Sequence, residues 1–480
     1  MFPFQWRIKG YDNKTFSEQI CLNNIDYGIG SNWERMSVPT TESDSDVLYN
    51  ERNYFYEFVH DALYDNGEDK TLIRHFERKE PKHDDVTYII DCGNHIYNLK
   101  VAYINLNLYS TGVGVLAFFL YNDKYPEPEH IFRINQSGRR LFPPFLACVQ
   151  FRDIGIIAHS IEIKGLHGRE SGYKEDFNSY TNKTPSNQPA TFITDMIHEI
   201  AKNIDLKPVI DDRMFVQCWY KNDDWAKRFY DNSEDFRNSS HWYEFVFVDD
   251  LNAMSCQNTD MQKIIIEEAT YERWQKKKSL YGISRYSMVL LTETQCPDFL
   301  LTNFETMYSR MAELILIQKA SVLRFSSEVT NLSNIDERSG FSEKVSSLYK
   351  EYIRFVNQIH FREISAQDQG IEMYQRLYET MNLKEHVEKL DDEIGELYNY
   401  VVLREDHKSN NTMSLLTWIA TIAVPITVVT GFFGMNNSIL GQENKVDHWL
   451  NDICIQSTII LIFIIIILMV VKKLQNRRSK

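Results

Sequence analysis

The sequence predicts a mixed α/β body, followed by one long α-helical stalk and two transmembrane helices. Three observations carry this. Strand-like alternation and helical stretches are interleaved over the first 300 or so residues. A stripe of Leu383, Val387, Leu390, Ile394, Leu397 and Val401 then recurs at spacings of four and three. Beyond it lie two charge-free apolar runs, 415–433 and 453–471, each long enough as a helix to cross the hydrocarbon layer of a bilayer, roughly 28 Å.

The chain's 480 residues leave room for two or three domains, and 43% hydrophobic with 25% charged residues are ordinary globular values. With 52 Lys and Arg against 67 Asp and Glu, the net charge of -15 argues against direct nucleic-acid binding by the whole chain. Seven cysteines stand singly with no C-x-x-C spacing, which fits a reducing compartment and no zinc module. The first residues, MFPFQWRIKG, lack the charged-then-apolar order of a signal peptide.

Residues 1–300 read as an enlarged α/β cytosolic domain with a regulatory role. Strand signals crowd 86–122, with a turn at Gly112 and Gly114, and Ile104, Leu106 and Leu108 alternate with Asn105 and Asn107 as in a half-buried strand. Further strands are expected near 214–220, 242–248 and 286–291, and helices over 192–203 and 306–328. Residues 30–46 and 168–190 are polar and turn-rich, and read as loops. Residues 301–364 read as a helical part of the same body.

Catalytic signatures are missing. No G-x-x-x-x-G-K-[ST] loop and no H-E-x-x-H occurs, and Gly112 and Gly114 sit in a hairpin rather than between strand and helix, so the chain does not read as an enzyme. One segment, FRINQSGRR, places Arg133, Asn135, Arg139 and Arg140 around Gly138. Arginine forks at a turn suit an anion, and these four are the candidate ligand-binding residues, with a solvated or salt-bridged loop as the plainer reading.

The stalk, 365–414, reads as the start of one continuous helix entering the first span, because Pro425 is the sole proline between Ile371 and Gly434. Its apolar stripe suits either packing against parallel neighbours or packing on the chain's own body. Stepping by three and four from Asn410 gives Met413, Leu416, Ala420, Val424, Thr427 and Gly431 on one face. A pore lined by that face carries no charge, so it would pass an ion hydrated or close by dewetting at Met413 and Leu416.

The first span (415–434), an outer loop (435–452), the second span (453–471) and a basic tail (472–480) complete the chain. Lys472, Lys473, Arg477, Arg478 and Lys480 follow the second span and Arg404 and Lys408 precede the first, whereas the loop holds Glu443, Asp447 and Asp452 against Lys445. The positive-inside rule puts both termini in the cytoplasm of a multi-pass membrane protein. The three loop carboxylates are candidates for attracting cations to an outer mouth. A single two-span hairpin encloses no aqueous path, so transport requires several copies.

The segment ATIAVPITVVTGFFGMNN, with Gly434, Met435 and Asn436 at the outer end of the first span, resembles the signature of the CorA family of divalent-cation channels. The resemblance runs inward through Thr427, Pro425, Thr417, Leu416, Met413 and Asn410. It implies a funnel-shaped homopentamer in the bacterial inner membrane. The first spans would line a pore for Mg²⁺, the transported ion and a candidate regulatory one, and the second spans would lie outside them in the lipid. Gly434, Met435 and Asn436 would be the selectivity element, with Asn436 meeting the metal through its hydration shell. Mg²⁺ gives up its waters reluctantly, so a ring of amide oxygens that keeps them suits it. Two positions depart from the family's pattern: Asn399 stands where an acidic residue is expected at the inner entrance, and Gln375 stands near the expected acidic regulatory site. The acidic run Asp391, Asp392, Glu393 and Glu396 reads as a hydrated helix face. The resemblance also opens an alternative, because CorA-like proteins occur beside type III CRISPR systems. There such a chain would be a membrane effector gated by a nucleotide second messenger in antiviral defence. A third reading is a membrane-tethered scaffold that conducts no ion.

Overall fold

Residues 1–28, 32–38, 51–80, 85–141, 157–166, 172–179, 189–210, 213–250, 254–333 and 340–434 are described by the computed structural model, with the side chains of 425, 426 and 428–434 outside that set. The chain divides into two units, Met1–Tyr398 and Asn399–Lys480.

In the first unit the apolar alternation of the N-terminal part builds a nine-stranded antiparallel sheet from β1 (Phe2–Ile8), β2 (Trp33–Arg35), β3 (Ile73–Arg78), β4 (Thr87–Asp91), β5 (Ile96–Tyr109), β6 (Val113–Tyr121), β7 (Ser160–Lys164), β8 (Tyr173–Asp176) and β9 (Ile204–Pro208). The main order is β8-β7-β4-β5-β6-β1-β9, with β2 and β3 joined off this path through β5. The long strand β5 explains the branch. Its first residues, 96–100, pair with β4, its last, 105–109, pair with β3, and β6 runs along its other edge. The β5–β6 turn closes at Gly112, whose φ of 74° suits glycine.

The far half of β5 departs from the half-buried pattern. Ile104, Leu106 and Leu108 are fully buried, and so is Asn107, which donates to Glu313 and bonds the His75 ring. Both sheet faces are covered at Asn107, and its amide is satisfied by other side chains rather than by water. Parts of the two segments read as loops are also ordered: β2 falls in one, and β8 with a short turn of helix, Phe177–Ser179, falls in the other.

A second sheet of four strands, β10 (Val216–Lys221), β11 (Thr270–Tyr271), β12 (Ser279–Ile283) and β13 (Ser287–Thr292), runs in the order β10-β13-β12-β11. Only the β10–β13 pair is parallel. The expected strand at 242–248 is instead the helix Ser240–Phe247. A short, mostly apolar run that is buried along nearly its whole length has no periodicity to separate helix from strand. What decides it is the cap: Ser239 accepts from the Trp242 amide at 3.1 Å, and Val248 ends the helix in a left-handed conformation. Trp242, Phe245 and Val246 then pack with Phe229, Phe236, Leu280 and Val289 into one apolar cluster.

Between these parts lies the helix Met307–Ser333, buried nearly all round, as its apolar composition requires. It carries polar groups inward as well. Gln318 donates to Tyr374 Oη at 2.8 Å, and Arg324 donates to the carbonyls of Trp6 and Gly112. The helices Phe341–Gln358 and Asp368–Thr380 pack beside it.

The expected continuous helix is interrupted. Asp368–Thr380 ends at Met381, Asn382 takes a φ of 50°, and the long helix Leu383–Gly434 starts afresh. Asn is one of the few side chains that tolerates this conformation, and its Nδ2 donates to Glu385 Oε2 at 2.7 Å. Leu383, Leu390 and Ile394 are buried within the first unit, and the Tyr349 and Tyr398 rings stack at 4.3 Å. The first part of the apolar stripe therefore packs on the chain's own body.

Candidate functional site

In the second unit the long helix is continuous from Asn399 through Gly434. Asn410, Met413, Leu416, Ala420, Val424 and Thr427 follow one another at helical spacing and all are exposed. The exposure is not confined to that face: Met413 is 63% exposed, and Leu415, Leu416, Ile419 and Val424 are over half exposed. From Met413 to Val424 the helix is mainly apolar and mostly exposed. Each such side chain, left in water, forgoes about 1.5–3 kcal/mol of burial. The threonines add no polar stripe, because Thr417 and Thr427 turn their hydroxyls back to the carbonyls of Met413 and Ala423, at 2.8 and 3.0 Å.

Gly431 and Gly434 fall in the helix, Gly434 as its last residue. Met435, Asn436, the loop carboxylates Glu443, Asp447 and Asp452, the second apolar run and the basic tail lie outside the described residues. Among the described residues no helix is long and apolar enough to cross a membrane.

Upstream on the same helix, Asp391, Asp392 and Glu396 are exposed, as a hydrated face requires, and Gln375 on the preceding helix donates to Glu379 at 2.8 Å. Among the described residues no group of three or more His, Cys, Asp and Glu is placed to hold a metal ion.

The segment around Gly138 differs from the expected turn. Arg133 and Asn135 lie on a helix, Pro128–Gly138, and Arg139 is its C-cap in right-handed geometry. Proline at the start of the helix and the apolar positions Ile131 and Phe132 facing the second sheet's cluster account for it. Arg139 and Arg140 are nearly buried. The Arg139 fork donates to Val248 O at 2.8 Å and to Gln136 Oε1 at 3.1 Å, and Arg140 pairs as a backbone bridge with Arg213. A helix C-terminus presents carbonyls, so the cationic fork of Arg139 is favourably placed there.

Asn135 and Arg139 nevertheless reach a cavity of about 480 Å³ between the two sheets. Its walls are mainly apolar, with Tyr88, Leu99, Phe118, Ile131 and Phe304 among them. Gln217, Cys218 and Glu305 supply polar groups. Burial pushes the Cys218 thiol up to about 11 and raises the Glu305 carboxyl above its ordinary value. Arg133 and Arg140 do not line it.

A second, smaller cavity of about 190 Å³ gathers cations that sequence reading did not connect: Arg213, Arg285 and Lys319, beside Tyr286 and Met381. Lys319 is 3% exposed and donates to Met381 O at 3.0 Å and to His386 Nδ1 at 2.9 Å. Its one sequence signal was a lysine within the apolar run LILIQKASVLRF.

Residues 283–473 match the family described as CorA-like Mg2+ transporter protein. The match starts well upstream of the segment that carries the resemblance in sequence, and takes in β13 and the helix Met307–Ser333. Among solved structures, the complete structure of the CorA magnesium transporter from Methanocaldococcus jannaschii is 16% identical. It aligns over 54% of this chain and 91% of its own, with a TM-score of 0.19, too low to carry an argument about geometry. No curated protein matches the chain. Through residues 283–473 the chain is similar to the CorA-like Mg2+ transporter proteins, a family of transporters and not of enzymes.

Proposed function

We propose that this chain is a CorA-like channel that conducts hydrated divalent cations, Mg²⁺ first among them, as a homopentamer in a bacterial inner membrane. The observation that carries the reading is the family match over residues 283–473 together with Gly434, Met435 and Asn436 closing the first apolar run. The exposed apolar stretch from Met413 to Val424 supports it, since lipid on one side and neighbouring copies on the other would cover what a single chain leaves exposed. In this reading both termini are cytoplasmic. The second apolar run, 453–471, lies on the lipid side, and Glu443, Asp447 and Asp452 raise cation concentration at the outer mouth.

The physical division of labour follows. Asn410, Met413, Leu416, Ala420, Val424, Thr427 and Gly431 line the path without a charge, so the ion keeps its water. Five Asn436 carboxamides bind that water at the mouth. The inside-negative potential drives entry, at roughly 4.6 kcal/mol per 100 mV for a doubly charged ion. The test is rescue of a magnesium-uptake-deficient bacterial strain by the wild-type chain and not by Asn436→Ala. Equal rescue by the variant removes Asn436 from the selective element, and failure of the wild type removes the transport reading.

One observation favours a signal-gated channel of the same architecture, opened by a nucleotide: Asn135 and Arg139 line the cavity of about 480 Å³. Calorimetry of the full chain with nucleotides decides it. No heat of binding ends this second reading and leaves the first intact.

A further inference from the structure

The cations around Tyr286 come from four separate elements. Arg213 precedes β10, Arg285 sits in the β12–β13 turn, Lys319 is on the buried helix, and Arg139 caps the helix Pro128–Gly138. The guanidiniums of Arg213 and Arg139 lie 4.6 and 5.2 Å from the centre of the Tyr286 ring. Arg213, Arg285 and Lys319 line the cavity of about 190 Å³ with Tyr286, and among the described residues no Asp or Glu lines it.

Lys319 and Arg285 make the case. Neither forms an ion pair among the described residues. Lys319 spends two of its three N–H groups on Met381 O and His386 Nδ1, both uncharged acceptors, which leaves one donor. Burial and the Lys319 charge lower the His386 pKa, which favours the neutral ring. Burial and the Arg285 charge lower the Lys319 ammonium to about 8, the mark of a cation held without a counter-charge. Collecting like charges around one buried ammonium is unfavourable unless an anion completes the set. Lys319 and Arg285, with Arg213 in the same lining, favour a doubly charged ion over a carboxylate, and guanidinium forks fit its oxygens.

We propose that this cavity binds one tetrahedral oxyanion, a phosphate or phosphomonoester, held by Lys319, Arg285 and Arg213. The inference does not rest on the conduction reading. Lys319 also has a purely structural role: its bond to Met381 O caps the C-terminus of the helix Asp368–Thr380. Arg285 has no such bond to lose, so it is the cleaner variant.

The experiment is thermal unfolding of the full chain in detergent at pH 7. Inorganic phosphate is compared with glycerol phosphate, and chloride at equal ionic strength serves as the blank. At 10 mM phosphate the wild-type midpoint should rise by about 2 °C or more, and Arg285→Gln and Lys319→Met should each remove that rise. A rise with phosphate means the free ion suffices, and a rise confined to glycerol phosphate means the ligand is an ester. No rise with either, or an equal rise in Arg285→Gln, overturns the site. Should Lys319→Met fail to fold, Arg285→Gln alone decides.

Discussion

The Lys319 ammonium donates to Nδ1 of His386 at 2.9 Å, tying the buried helix of the first unit to the opening turn of the long helix. Its pKa of about 8 lies below the ordinary lysine value. Between pH 8 and about 10.4 the unfolded chain therefore holds a proton that the native chain has released, and stability from this group rises with pH across that window. The midpoint difference, wild type minus Lys319→Met, should grow from pH 8 to pH 10 without phosphate. A constant difference would show that Lys319 does not titrate there.

Two imidazoles act in the acid range. Burial lowers His75 and His360 to about 4, His75 beside Asn107 and His360 bonded to Tyr378 Oη at 2.9 Å. Unfolded histidine takes its proton near 6.5, so stability is full above that pH and falls as pH drops from about 6.5 towards 4. The unfolding midpoint should be lower at pH 5 than at pH 7.5, and His360→Gln should shrink that drop. An unchanged drop in both His360→Gln and His75→Gln would assign the acid sensitivity elsewhere.

Gly112 is held at a φ of 74°, and a Cβ there would fall on Arg324 Nη1 and Ile20 Cγ2. Gly112→Ala should cost about 2–4 kcal/mol, combining left-handed strain with overpacking against a buried guanidinium. Gly10 has a similar φ of 79° but open space around it, so Gly10→Ala should cost about 1 kcal/mol. Denaturant titration of the two variants checks the order; equal losses would mean that packing at Arg324 is not the larger part.

Dewetting at Met413 and Leu416 is the proposed barrier in the charge-free stripe. Met413→Ser and Leu416→Ser should raise divalent-cation flux into liposomes several-fold over wild type, whereas Ile419→Ser, off the stripe, should not. Flux raised equally by all three would mean membrane damage rather than an opened path.

How much of this was legible depended on range. The hairpin at Gly112, the strands of 86–122 and the helix Met307–Ser333 follow from local periodicity, and they stand where alternation and apolar density placed them. The helix at Trp242 did not follow, because a short, mostly apolar run fits either state until the Ser239 cap chooses. Nor did the break at Asn382: no proline marks it, and its reason is a left-handed residue whose side chain is held by Glu385. The FRINQSGRR segment misled because Gly138 suggested a turn, while the proline at the helix start and the burial of Ile131 and Phe132 made a helix.

The order of the chain was written in the sequence alone: a mixed body, a long helix, two charge-free runs and the Gly434, Met435, Asn436 triplet. Composition along a segment decides whether that segment is apolar enough for lipid or patterned for a sheet. Which cations meet was decided by tertiary structure. Arg213, Arg285 and Lys319 are over a hundred residues apart from first to last, and only the closing of β10 on β13 beside the buried helix brings them around one cavity. Charge at a point depends on neighbours in space, and a linear pattern does not carry them.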